Sequence, residues 1–135
     1  MQTATETLAV SKKSVWIGRI LSGLAAAFLL FDGVMKLFDP LVVREAFVRL
    51  AYPETKIIGI GVLLIVCTII YLIPRASIFG AILLSGYLGG AISTHVRVND
   101  PLFSHVLFPA YIALLLWVGL YLREPRLRAL IPLKN

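Results

Sequence analysis

The chain has 135 residues, 59% of them hydrophobic and only 15% charged. Soluble domains carry about 25% charged residues, and a water-soluble fold of this size has too little interior to hide so much apolar mass. With a mean hydropathy of +0.92, this composition excludes an ordinary soluble enzyme, a disordered chain and a disulfide-stapled secreted module, and predicts an integral membrane protein.

The net charge of +6 does not point to nucleic acid, because the basic residues flank apolar runs, where lipid headgroups lie. The single cysteine, Cys67, falls inside an apolar run. It excludes an intramolecular disulfide or a CxxC pair and reads as a small hydrophobe.

In chain order, a polar tail over residues 1–13 precedes the first apolar run, about 15–37. A helix needs about 20 residues to cross hydrocarbon. Lys12 and Lys13 lead into this run as they would into a signal peptide. The run is longer than an ordinary h-region, contains Asp32 and Lys36 and has no persuasive A-x-A cleavage site, so it reads as retained. Gly18, Ser22, Ala25, Leu29, Asp32 and Lys36 recur at the spacing of a bundle-facing stripe, whose small members let a neighbouring helix approach closely. Asp32 therefore points inward, with Lys36 at i+4 as its nearest counter-charge and His95 or Arg97 as further partners. Two readings stay open for the pair: a functional site, or a helix-end ion pair with a snorkelling lysine.

The first connection begins Asp39-Pro40, an N-cap followed by proline at the first helical position. Val43, Ala46, Phe47 and Leu50 then share one face, and Arg44, Glu45 and Arg49 the other, with Glu45 and Arg49 spaced to pair. This predicts a short amphipathic helix over about 40–51, lying in the membrane interface. The second run spans about 56–74 and the third about 76–96, joined by a tight Pro74-Arg75 turn. In the third, Gly86 and Gly90 form a GxxxG pair whose ordinary meaning is close helix packing. The sharper meaning is a planar ligand against bare backbone, with the Tyr87 hydroxyl nearby. The fourth run spans about 102–122 and is followed by a basic tail over 124–135. None alternates with period 2, which argues against a β-barrel. The fold class expected is all-α, a bundle of four transmembrane helices.

The N-terminal flank, the Arg75 turn and the C-terminal tail share one side and hold eight Lys and Arg, against five on the other. That excess predicts cytoplasmic termini. The opposite, outer end gathers Asp32, Lys36, His95, Arg97 and His105. His95 and Arg97 diverge by about 200° on a continuous helix, so both face inward only if the helix ends there. No His-x3-His, cysteine cluster or paired carboxylate accompanies the histidines. Bonds from them to loop carbonyls are the expected state, and no metal site is assigned.

The ordered set Asp32-Gly-Val-Met-Lys36, Tyr71-Leu-Ile-Pro-Arg75, Gly86-Tyr-Leu-Gly-Gly-Ala91, Thr94-His-Val-Arg97, His105-Val-Leu-Phe-Pro109 and Trp117-Val-Gly-Leu-Tyr-Leu-Arg123 resembles the DoxX-like family of small bacterial membrane proteins, over residues 14–132. The resemblance implies a four-helix membrane bundle in the bacterial inner membrane. The family takes its name from a membrane subunit associated with quinone-linked thiosulfate oxidation, and distant relatives resemble assembly chaperones. Many members carry a glutamate early in the second helix; here Gly59-Ile-Gly-Val-Leu-Leu-Ile65 has none, which weakens a proton- or redox-relay role.

Two functions follow as expectations. One is a non-catalytic subunit or binding protein for a quinone or other lipid-soluble ligand, serving a membrane redox partner that holds the cofactor. Its ligand-binding residues would be Asp32, Lys36, Gly86, Tyr87, Gly90, His95, Arg97 and His105. The other is a membrane assembly factor without a small-molecule ligand, using the small-residue faces that would also suit a homo-oligomer.

Overall fold

The computed structural model describes residues 11–38 and 41–131, so the expected Asp39-Pro40 cap lies outside the described residues. Helix α1 runs over Lys12–Phe38, α2 over Leu41–Arg49, α3 over Ile57–Leu72, α4 over Ser77–Arg97, α5 over Phe108–Arg123 and α6 over Pro125–Leu130. A 3₁₀ turn over Glu54–Lys56 leads into α3, and a π turn over Leu102–Val106 leads into α5.

Local chemistry sets these limits. Ser11 Oγ accepts the Ser14 amide at 3.0 Å, so α1 starts a turn before its apolar run. Helix α3 stops before Pro74, whose ring drives Ile73 to an extended ψ of 119°. Pro109 stands in the first turn of α5, the one place in a helix where a missing amide is harmless, so α5 restarts after the π turn. Helices α2 and α4 end alike. Ala51 and Asn99 adopt φ of 62° and 58°, and the amides of Tyr52 and Asp100 reach back to the carbonyls of Phe47 and His95. Both are Schellman turns, and asparagine suits the left-handed position better than alanine does.

Helices α1, α3, α4 and α5 close a ring in which α1 packs on α3 and α5, and α4 packs on the same two. The stripe on α1 faces inward: Gly18, Ser22, Ala25, Leu29 and Lys36 are buried. Close approaches sit at glycines. A Cβ on Gly18 would lie 2.5 Å from the Gly119 carbonyl, and one on Gly61 would lie 2.9 Å from the Gly33 carbonyl. The small-residue face of α1 is thus spent within the chain, not offered to a second copy. Around the outside, Trp16, Ile20, Leu24, Phe31, Val62, Phe79, Ile82 and Leu114 are exposed. That is an apolar belt no water-soluble monomer carries.

At the end of the ring near the chain termini, fully buried Tyr71 sets its hydroxyl 2.9 Å from Ser22 Oγ and 2.7 Å from the Leu116 carbonyl. Arg123 donates to Ser22 at 2.9 Å with its guanidinium 5.2 Å from the Tyr71 ring centre. Helix α6 docks below, burying Leu127. Arg126 donates to the Pro74 carbonyl at 2.6 Å, and Arg128 to Ser14 Oγ at 2.7 Å. Part of the stretch expected as a basic tail is therefore an ordered helix, joined to the α3–α4 turn and to the start of α1.

Candidate ligand-binding site

At the opposite end, the last turns of α1 and α4 and the first turns of α3 and α5 diverge around a cavity of about 540 Å³. Its size lies within the ~300–1,000 Å³ usual for small-molecule sites. Helix α2 closes it: Val43, Ala46, Phe47 and Leu50, the apolar face read from the sequence, all line the cavity. Phe28 and Phe108 meet edge-on at 5.3 Å and line it from α1 and α5.

Of the residues expected at a site, Asp32, Lys36, Gly86, Tyr87, Gly90 and His95 share this cavity. Asp32 and Lys36 form the expected ion pair at 2.7 Å. The lysine is the deeper partner, its side chain 11% exposed against 39% for Asp32. The cause is α3, which comes so close at Gly61 that a Cβ there would lie 2.8 Å from Lys36 Cβ. Among the described residues no atom lies within 4 Å of a Cβ built on Gly86 or Gly90. The pair therefore packs no helix of this chain closely, and both glycines present bare backbone to the cavity.

Arg97 and His105 lie elsewhere. Helix α4 continues to Arg97, so the two directions about 200° apart hold, and Arg97 points away. It donates to the Leu50 carbonyl at 2.7 Å and lies 5.7 Å from the Tyr52 ring centre. His105 is exposed in the π turn, its Nδ1 2.8 Å from Ser104 Oγ. Its ring centre is 5.9 Å from that of His95. Asp32 thus has Lys36 as its partner, while the two residues expected to join them bond to others. The histidines likewise turn to side chains rather than loop carbonyls. Among the described residues no group of three or more His, Cys, Asp or Glu is arranged to hold a metal ion.

Three residues that sequence reasoning passed over fasten α2 to the end of α4. The Asn99 turn swings Asp100 back, so its amide bonds the His95 carbonyl at 3.0 Å. Its carboxylate then meets His95 Nδ1 at 2.5 Å and Arg49 at 2.6 Å. Arg49 therefore pairs with Asp100 and not with Glu45. Tyr52 adds a bond between its hydroxyl and Thr94 Oγ1 at 3.1 Å. The hydrogen bond from His95, followed by the Arg49 contact, holds the Asp100 carboxyl below its ordinary value of 3.8, against the opposing effect of burial. The sequence did carry one signal for this clamp: asparagine before Asp-Pro at a helix end marks a left-handed turn.

The profile of the DoxX-like family matches residues 20–119. The chain belongs to the DoxX-like family. No curated protein and no solved structure matches it. The matched stretch of this DoxX-like chain contains every residue lining the cavity and leaves α6 outside. Lys12–Phe38, Ser77–Arg97 and Leu102–Arg123 are each long and apolar enough to cross a membrane. The DoxX-like chain is a multi-pass membrane protein.

Proposed function

We propose that this DoxX-like protein is a membrane subunit that binds, without intrinsic catalysis, a quinone or another lipid-soluble ligand with a polar head. The observation that carries this reading is the cavity itself. A carboxylate–lysine pair, Arg49, Tyr52, Tyr87, Thr94 and His95 stand in otherwise apolar and aromatic walls, beside two glycines that let a flat ring approach the backbone. Electron transfer belongs to a redox partner in the same membrane, which supplies the cofactor. All four ring helices span the bilayer of a bacterial inner membrane, the 16 residues of α3 covering about 24 Å at ~1.5 Å per residue. The larger positive count lies at the α6 end, so both termini are cytoplasmic and the cavity opens toward the outer face.

The test is native mass spectrometry of the detergent-extracted protein, with organic extraction of whatever travels with it. A co-purifying quinone or lipid-soluble aromatic, and a higher melting temperature when it is added back, are expected. No bound small molecule and no shift with either quinone or hydroquinone would overturn the reading. A stable hetero-complex without ligand would then identify a membrane assembly factor.

Topology has its own test in a Cys67→Ser background. Glu45→Cys and Ser104→Cys, both at exposed positions, should react from outside intact cells with a membrane-impermeant thiol reagent. Ala129→Cys on α6 should react only after the membrane is opened. Labelling in the reverse pattern would invert the orientation.

A further inference from the structure

Building on the ligand-binding reading, we infer that the cavity selects a ligand by the hydrogen-bond donors on its head. Its class is a lipid-soluble phenol or hydroquinone, in preference to a quinone, whose carbonyls only accept. The argument starts from Asp32. Paired with Lys36, its carboxylate is ionised and therefore purely an acceptor, with about four lone-pair directions. Oδ2 takes the Lys36 ammonium at 2.7 Å. The remaining acceptor capacity belongs to a side chain that is 39% exposed and lines the cavity, while the ammonium sits deeper at 11%. A quinone carbonyl brought to that wall would set acceptor against acceptor. A hydroxyl would donate into it, forming the charge-assisted bond that is the stronger kind.

His95 lines the cavity, whereas Asp100 does not. The carboxylate of Asp100 has no proton to give, so the bond at 2.5 Å requires Nδ1 to donate. Nδ1 is thereby committed to Asp100, and Nε2 is the ring nitrogen left for a ligand. The clamp at the aqueous end thus fixes which ring nitrogen a ligand can meet, and the acceptor that sets the preference is Asp32 on α1. Phe28, Phe108, Phe47, Tyr52 and Tyr87 make the lining suited to a ring rather than to an aliphatic alcohol.

Matched probes in lipid nanodiscs under anaerobic conditions test this: a decyl-substituted hydroquinone, the corresponding quinone, and the hydroquinone's dimethyl ether. Calorimetry should give the hydroquinone an affinity at least about tenfold above the other two, the scale of one hydrogen bond to a charged group. Asp32→Asn, which keeps the shape but adds a donor, should bring hydroquinone and quinone within about threefold of each other. Gly90→Leu, which adds a side chain where no neighbour lies within 4 Å of a Cβ, should weaken hydroquinone and quinone alike without lowering the melting temperature. Equal wild-type affinity for hydroquinone and quinone, or a preference that survives Asp32→Asn, would overturn the donor-selection inference and leave the ligand site standing. Binding of none of the three probes would overturn the inference and count against the site as well.

Discussion

Gly119→Val should destabilise the bundle severely. A Cβ at this position would lie 2.5 Å from Ser22 Oγ, 2.8 Å from the Ser22 amide nitrogen and 2.9 Å from the Gly18 carbonyl. Two of those atoms are backbone, so no rotamer change makes room, and α1 and α5 must separate. Separation also removes Ser22 from Tyr71 and Arg123, which leaves buried polar groups short of partners. Overpacking alone costs about 1–3 kcal/mol. With the polar node lost as well, the total should exceed about 3 kcal/mol, a large share of the ~5–15 kcal/mol that stabilises a typical domain. Size-exclusion profile and melting temperature in detergent give the readout. Gly90→Val is the control, since its added side chain meets open space. A Gly119→Val protein that is monodisperse and melts near wild type would show that the α1–α5 contact is looser than described.

Asp100→Ala should free α2 while the ring stays closed. Helix α2 is short and amphipathic, and it rests on α3 through few contacts. Arg49 and His95 both depend on Asp100, which leaves the Tyr52–Thr94 and Arg97–Leu50 bonds to hold the segment. Hydrogen exchange over Leu41–Arg49 should rise at least several-fold, with α1, α3 and α5 unchanged. The effect carries a pH signature. The folded protein holds Asp100 below 3.8, so the unfolded chain takes up this proton first. The stabilising contribution is complete above 3.8 and disappears as pH falls through the lower folded value. Wild type and Asp100→Ala should therefore differ in melting temperature at neutral pH and converge in strong acid. A difference that persists there would assign Asp100 a role other than its charge.

Three of the four ring helices were legible in the sequence because they are long and apolar enough to cross a membrane, and small residues at 3-4 spacing marked the buried face of α1. Gly18, Ser22, Ala25 and Leu29 follow that logic without exception. The Asp32–Lys36 pair was legible for the same reason, since i+4 spacing alone brings the two together. Less visible was anything set by the path of a loop. Asp100 enters the clamp through the Asn99 turn, and Tyr52 through the turn at Ala51, so no helical periodicity predicts where either side chain lands. Arg97 was grouped with the cavity by its end of the bundle, although its angle from His95 already separated them. Gly86 and Gly90 illustrate a different limit. A GxxxG pair reports an absence of side chain, and only the neighbours decide whether a helix or empty space fills it. Helix α6 escaped notice because six residues are too few to show an apolar period; its stability comes from Leu127 and the arginine bonds to other elements.

The closure of the ring through α1 and α5 has a consequence for biogenesis. Ser22 and Arg123, bonded in the finished bundle, are 101 residues apart, and Ser14 and the Leu122 carbonyl are 108 apart. The first helix is thus inserted long before its principal partner is synthesised. Until α5 arrives, the groove at Gly18 and Ser22 faces lipid or the insertion machinery, and Tyr71 waits with an incomplete set of acceptors. Helices α3 and α4, joined by a tight turn, assemble locally and early. A chain synthesised only as far as α4 therefore leaves the ring open, with Ser22 lacking Arg123 and Tyr71 lacking the Leu116 carbonyl.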